Sequence, residues 1–140
     1  MAYRIVVGVD GSAHSAAALR WSLDEAERRS GEVTAVFCWQ IPFLSFPGAF
    51  DRDDLETAAK DFVSATIKEI APSPAVPLHT LVAEGEPTES LLVAAEDADL
   101  LVVGTKGRSR FPGLRLGAVS LGVASNAMCP VVLVRQDDQV

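Results

Sequence analysis

The sequence predicts an α/β domain in which helices cover both faces of a doubly wound parallel sheet. Five short runs rich in valine, leucine and alanine alternate with helical patterns along the chain. Strands that alternate with helices pair in parallel through right-handed crossovers. The runs are apolar on both faces, which indicates strands buried on both sides of the sheet. A ligand crevice is then expected at the carboxyl ends of the strands.

The predicted strands are bounded by residues that interrupt regular structure. The first three end near Gly11, Pro42 and Gly85. The fourth ends at Gly104, and the fifth starts after Pro130. The strands cover residues 3–10, 33–40, 78–83, 100–103 and 131–134. We expect a Rossmann-like sheet of order 3-2-1-4-5.

Four helical patterns separate the strands, at residues 12–30, 53–70, 87–96 and 118–128. The first opens with capping-type residues and closes with Arg28, Arg29 and Gly31, which suit the negative end of a helix dipole and a left-handed stop. Pro87 fits the first turn of the third helix, and Pro130 ends the fourth. The predicted apolar face of the second helix consists of Leu55, Ala58, Ala59, Phe62, Val63, Thr66 and Ile70.

The composition fits a single folded domain spanning residues 1–140. The hydrophobic fraction is 49% and the aromatic fraction only 6%, so the core is expected to be mainly aliphatic. The formal net charge of −7 argues against a broad surface for nucleic acid or for an anionic membrane, because both need a basic footprint. A small anion site is still compatible with this charge.

The cysteine and targeting signals point to a reducing cytoplasm. Cys38 and Cys129 are far apart and belong to no CxxC or Cys/His cluster, so neither a disulfide framework nor a zinc site is expected. The first ten residues do not read as a leader peptide. No apolar run reaches the roughly 18–20 residues that span a bilayer.

The loop after the first strand and the loop after the second each have two interpretations. Asp10 could cap the first helix through backbone N–H groups, or accept a hydrogen bond from a ligand amine or hydroxyl. The long loop of residues 40–52 contains Phe43, Phe46 and Phe50. Its phenylalanines could serve a functional loop or fold back on the core.

The loop after the fourth strand combines glycines with basic residues. Glycines let the backbone approach a phosphate, successive N–H groups form an anion-binding concavity, and the following helix adds a favourable dipole. The basic residues alone could be a solvated charged loop; they are Lys106, Arg108, Arg110 and Arg115. The spacing is neither a Walker A motif nor GxGxxG. It is Gly-x2-Gly-x9-Gly, at Gly104, Gly107 and Gly117.

This spacing resembles the ATP-binding signature of the universal stress protein family, and the resemblance covers almost the whole chain. Residues 5–12 look like the family's first strand and loop, and Gly85-Glu86-Pro87 looks like its Gly-x-Pro turn. Residues 98–104 and 129–134 resemble its fourth and fifth strands. The resemblance implies an ATP-binding regulatory protein of the stress response, in which Mg²⁺ is held mainly by the phosphates.

The resemblance also implies roles for particular residues. Asp10 matches the aspartate near the adenine, and Cys38 stands where the family usually has an aliphatic residue whose backbone contacts the adenine. ATP-binding members have Ser or Thr where this chain has Ala118, so one hydroxyl donor worth about 1 kcal/mol is missing. The implied nucleotide-binding residues are Gly8, Val9, Asp10, Cys38, Val103, Gly104, Lys106, Gly107, Arg108, Gly117, Ala118, Val119 and Ser120.

The fifth strand is predicted to mediate a homodimer. In the family this strand lies at a sheet edge and commonly pairs with its twin across a two-fold axis. An apolar edge strand such as Val131–Val134 is a liability unless it is covered. The alternative is a monomer whose C-terminal tail protects the edge.

No committed catalytic or metal-binding set is evident. His14 and His79 are each expected to be surface or packing residues, and Ser12, Ser109 and Ser120 have no triad partners nearby in sequence. Three hypotheses therefore stand: a nucleotide-binding regulator, a dimeric interaction protein whose nucleotide site has decayed, and a nucleotide-using enzyme of the related superfamily. The first is favoured by the glycines with their basic neighbours, and the second by the alanine at position 118.

Overall fold

The computed structural model describes residues 2–40, 51–105 and 118–136, and these form a five-stranded, all-parallel sheet with helices on both faces. The strand order is β3-β2-β1-β4-β5, which confirms the predicted topology. The elements along the chain are β1 (Arg4–Gly8), α1 (Ala13–Arg28), β2 (Glu32–Trp39), α2 (Arg52–Ile70), β3 (Leu78–Glu84), α3 (Pro87–Ala94), β4 (Leu100–Gly104), α4 (Ala118–Asn126) and β5 (Val131–Val134).

Two apolar clusters form the core, one on each face of the sheet. Side chains of a strand alternate between faces, so Ile5 and Val7 of β1 pack against α1 and α2, whereas Val6 packs against α3 and α4. Leu19 of α1 and Leu101 of β4 are fully buried in these two clusters. The expectation that both faces of the central strands are covered is therefore confirmed.

Burial on both sides does not extend to the edge strands. In β3 the side chains of Thr80 and Leu81 are exposed, and every residue of β5 is only half-buried. The prediction of full burial is wrong for these two strands, because an edge strand has a neighbour on one side only and the flanking helices cover it incompletely.

The second helix also differs from its predicted role. Of its predicted apolar face, only Val63 is buried in the core, while Ala58 is exposed and Phe62 keeps 46% of its surface exposed. The periodicity located the apolar side of the helix correctly. It did not show that part of this side faces an open space instead of the sheet.

Close packing joins β4 to the start of α1. A Cβ atom built on Gly104 would lie 2.9 Å from the carbonyl carbon, the carbonyl oxygen and the Cβ of His14. The glycine therefore lets the strand end pass directly beneath the first turn of α1. Within the described ranges, no helix combines the length and apolar character that a membrane crossing requires.

Glu86 caps α3, and this cap predicts a pH-dependent contribution to stability. Its carboxylate accepts hydrogen bonds from the backbone N–H groups of Glu89 (2.9 Å) and Thr88 (3.0 Å), which lower its pKa. We expect Glu86→Ala to reduce the free energy of unfolding by about 0.5–1 kcal/mol at pH 7. The folded-state pKa is depressed, so this benefit is present above the unfolded value of about 4.3 and is lost as the pH falls through the folded value.

Urea unfolding at pH 7 and pH 3 checks this expectation, with Glu96→Ala as the control because Glu96 is exposed and lies just beyond the helix. A difference between wild type and Glu86→Ala that persists in full at pH 3 would contradict the capping role.

Candidate functional site

A cavity of about 760 Å³ opens at the carboxyl edge of the sheet, where β1, β2 and β4 end. This volume is within the range of small-molecule sites. The strand order reverses between β1 and β4, and doubly wound sheets bind ligands at such a switch point. The predicted site residues that line it are Gly8, Val9, Asp10, Cys38, Val103, Gly104, Ala118, Val119 and Ser120.

Every predicted site residue within the described ranges therefore lies at one cavity. Lys106, Gly107, Arg108 and Gly117 fall outside the described residues, as do the phenylalanines predicted for the loop of residues 40–52. Their sequence-based roles remain predictions.

The turn from β1 to α1 is fixed by serine hydroxyls and by the Asp10 carboxylate. Ser12 is the N-cap of α1, and its hydroxyl accepts from the Ser15 backbone N–H at 3.2 Å. Oδ1 of Asp10 accepts from the Ser12 backbone N–H at 2.9 Å, and Gly11 has a positive φ of 85°. Of the two roles left open for Asp10, helix capping thus belongs to Ser12, and the carboxylate shapes the turn at the cavity wall.

Ser15 lines the cavity but was not among the site residues predicted from the sequence. Its hydroxyl accepts from the Asp10 backbone N–H at 3.2 Å and donates to the Ser12 carbonyl oxygen at 3.0 Å. A serine three residues after the N-cap was the available signal, because that position lies on the first turn of the helix and points back towards the loop.

The start of α4 forms the opposite wall. The Ser120 side chain is buried, and its hydroxyl donates to the carbonyl oxygen of Gly104. This bond uses the hydroxyl proton, so Ser120 fixes α4 over the end of β4 and its hydroxyl is not available there as a donor to a ligand. The first backbone N–H groups of α4 have no partner within the helix, and the positive end of its dipole lies at the cavity.

Cys38 lies at the end of β2 as a neutral, half-buried wall residue. Burial raises the pKa of its thiol, while a hydrogen bond with Ser90 acts in the opposite direction and nearby Glu86 raises it further. An uncharged thiol packed against aliphatic side chains substitutes for an aliphatic residue with little change in polarity.

The turn before α3 holds the end of β2 in place. Gly85, with a φ of 139°, donates its backbone N–H to the Trp39 carbonyl oxygen at 2.9 Å. The Gln40 side-chain amide donates to the Gly85 carbonyl oxygen at 3.1 Å. Pro87 then continues this wall of the cavity. The Gly-x-Pro sequence thus serves as a rigid border of the site.

The two histidines lie away from the cavity lining. His14 is buried in the first turn of α1, where its Nδ1 accepts from the Gln136 backbone N–H at 3.4 Å. His79 is exposed on β3, with Nε2 3.6 Å from a carboxylate oxygen of Glu32. These positions agree with the packing and surface roles expected from the sequence.

The remaining cavity residues within the described ranges come mainly from α2 and from the ends of β2 and β3. The α2 members belong to the predicted apolar face of that helix, and an apolar pattern alone does not indicate a ligand site. They are Leu55, Ala58, Ala59, Phe62 and Val63 from α2, Val36, Phe37, Trp39 and Gln40 from β2 and the residue after it, Val82 from β3, and Pro87 and Leu91 from α3.

The sheet order and the position of the cavity define a doubly wound α/β domain with a ligand site at its switch point. The model of the universal stress protein family matches residues 1–135, and the chain belongs to that family. The universal stress protein Rv1996 of Mycobacterium tuberculosis is 34% identical over 137 residues, which cover 94% of this chain and 43% of the relative. The chain thus spans less than half the length of that relative.

Two solved structures of universal stress proteins were determined with adenine nucleotides. One, in complex with cAMP, is 26% identical, has a TM-score of 0.66 and covers 96% of this chain and 97% of its own. The other, from Archaeoglobus fulgidus in complex with dAMP, is also 26% identical and has a TM-score of 0.64. It covers 94% of this chain and 97% of its own.

Proposed function

We propose that the chain binds an adenine nucleotide, with ATP as the preferred ligand, in the cavity at the carboxyl edge of the sheet. The observation that carries this proposal is the convergence on one cavity of the β1–α1 turn, the end of β4 and the start of α4. The cAMP and dAMP complexes of structurally similar universal stress proteins support the choice of an adenine nucleotide.

Different walls of the cavity offer different contacts to a nucleotide. The backbone N–H groups at the start of α4 suit phosphate oxygens, and Lys106 and Arg108 add positive charge to the same loop region in sequence. Asp10 provides a carboxylate that can accept from a ribose hydroxyl or a base amine. The aliphatic surfaces of Val9 and Val103 suit the flat face of a base.

Mg²⁺ would be held mainly through the phosphates. Among the described residues, no group of three or more His, Cys, Asp or Glu side chains is placed to hold a metal ion. ATP would bring its own oxygen ligands, which are the type that Mg²⁺ prefers. We therefore propose binding and regulation by nucleotide, without a dedicated catalytic set.

We further propose a cytoplasmic homodimer whose partners respond to nucleotide occupancy. The half-buried strand Val131–Val134 is an apolar sheet edge that pairing with a second copy would cover. Cys38 and Cys129 are both free thiols, which fits a reducing compartment. A mass equal to one chain at all concentrations, measured by light scattering, would rule out the dimer.

Calorimetric titration with ATP and Mg²⁺, beside AMP and GTP, tests the ligand. Micromolar ATP binding that GTP does not reproduce would establish an adenine-nucleotide site. Absence of binding to a folded protein would favour the second candidate, an interaction protein with a decayed site. The observation that favours this candidate is the alanine at the first position of α4.

Restoring a hydroxyl at that position is expected to tighten ATP binding. Ala118 is exposed and lines the cavity, so Ala118→Ser can place a donor beside the phosphates without disturbing the core. One added hydrogen bond of about 0.5–1.5 kcal/mol corresponds to about a two- to twelvefold lower Kd. Ala124→Ser, on the exposed surface of the same helix and outside the cavity lining, is the matched control. Equal affinities of the two variants would contradict a phosphate at α4.

A further inference from the structure

The cavity extends across both faces of the sheet at the end of β2. Val36 and Val103 belong to the core cluster beneath α3 and α4, whereas Phe37 and Val82 pack with the cluster beneath α1 and α2. All four residues nevertheless line the same cavity. Part of its volume therefore lies on the α2 side of the sheet, away from the start of α4.

We call this part the α2 compartment and define it by its lining residues. They are Phe37, Trp39, Leu55, Ala58, Ala59, Phe62, Val63 and Val82.

The walls of the α2 compartment are almost entirely hydrocarbon. Among the described residues that line it, none has a charged side chain, and the Trp39 indole provides the single polar side-chain atom. Phe62 keeps 46% of its surface exposed, and Ala58 is also exposed. Covering these surfaces with an apolar group is favourable in proportion to the area removed from water.

The polar groups that a nucleotide needs lie in the other part of the cavity. Asp10 and Ser15 are at the start of α1, and Ser120 is in the first turn of α4. Ribose and phosphate oxygens would lose hydrogen bonds to water in the α2 compartment without gaining any from its walls. The two parts of the cavity thus suit different chemistry.

The charges at the N-terminus of α2 have both signs. Asp51 caps this helix and Asp53 and Asp54 lie in its first turn, but Arg52 is its first residue and forms an ion pair with Glu84. None of these charged side chains lines the cavity, so a charged occupant would lose its hydration against the hydrocarbon walls without gaining an ion pair. An uncharged molecule meets no such penalty.

We propose that the α2 compartment is a second binding site, which takes an uncharged and mainly hydrocarbon small molecule such as a short alkyl or fused aromatic group. The total cavity of about 760 Å³ leaves room for a small molecule. The site is continuous with the nucleotide site but does not depend on it, because the walls that carry this inference come from α2, β2 and β3.

Fluorescence titration with the neutral probe N-phenyl-1-naphthylamine, in the absence of nucleotide, tests the site. We expect wild type to bind the probe with enhanced fluorescence. Ala59→Phe fills the compartment from a half-buried position and should weaken binding by about tenfold or more. Ala65→Phe adds the same side chain at an exposed position of α2 outside the cavity lining and should bind like wild type.

A third variant separates this site from the nucleotide site. Ala118→Glu adds a charge at the start of α4 and should leave the probe Kd within about twofold of wild type. Circular dichroism and cooperative urea unfolding establish that each variant is folded. The proposal is overturned if wild type does not bind the probe, if the two phenylalanine variants behave alike, or if Ala118→Glu abolishes probe binding. None of these readouts requires ATP to bind.

Discussion

Ala118→Glu is expected to weaken ATP binding by at least about tenfold while leaving the fold intact. Ala118 lines the cavity as the first residue of α4, so a carboxylate there would lie beside the bound phosphates. Two unit charges about 4 Å apart repel by about 1 kcal/mol in bulk water and by about 4 kcal/mol near a protein surface. The triphosphate carries several such charges, so this is the largest binding effect that we expect from a single exposed residue.

The same substitution should not destabilise the protein, because an acidic side chain is favourable at a helix N-terminus. Calorimetric titration and thermal unfolding, run in parallel, separate the two effects. Ala124→Glu is the matched control, since it adds the same charge to an exposed position of the same helix away from the cavity. If both variants bound ATP like wild type, the phosphates would have to lie elsewhere.

Gly104→Ala is expected to cause the largest loss of stability among the site residues. The added methyl group would lie 2.9 Å from the carbonyl carbon and oxygen of His14, so backbone has to move. Overpacking of this kind costs about 1–3 kcal/mol, which is a large part of the stability of a typical domain. Urea unfolding measures the change in the free energy of unfolding.

Gly8→Ala is the comparison, because Gly8 ends the neighbouring strand β1 and also lines the cavity. A methyl group there would lie 3.0 Å from Cδ1 of Leu91, a side chain that can shift. We expect a smaller loss than at Gly104. Equal stability of Gly104→Ala and wild type would show that β4 and α1 are less tightly packed than the structure indicates.

Gly104 shows why a match to a ligand-binding signature does not by itself assign a role to a residue. The family resemblance connects Gly104 with nucleotide binding, whereas the structure shows that the position also has no room for a side chain. A loss of nucleotide binding in Gly104→Ala would therefore mix unfolding with lost contacts. Ala118 is the better position for testing the ligand, because its side chain is exposed.

The fold was predictable because its signals are local. The apolar runs of β1 and β4, with a glycine at the end of each, required only the sequence around them. Burial at the edges was not predictable in the same way. Leu81 and Phe62 look like core residues in their own segments, and their exposure depends on how far α2 covers β3.

The candidate site was predictable where its residues stand directly at the end of a strand or the start of a helix. Asp10, Gly104 and Ala118 are adjacent to strand ends or a helix start and were found for that reason. The α2 compartment was missed because its walls come from three elements whose sequences give only an apolar pattern. Periodicity identifies an apolar face but not whether protein or open space lies opposite.

The central position of β1 has a consequence for synthesis of the chain. One edge of β1 pairs with β2, and its other edge pairs with β4. Beside the second pairing, the Arg4 backbone N–H donates a hydrogen bond to the Asp99 carboxylate, 95 positions away in the sequence. At about 5–20 residues per second, a ribosome needs roughly 5–20 s to make that length. During this interval the central strand of the sheet has an unpaired edge, which is the form in which a nascent chain most needs protection from aggregation.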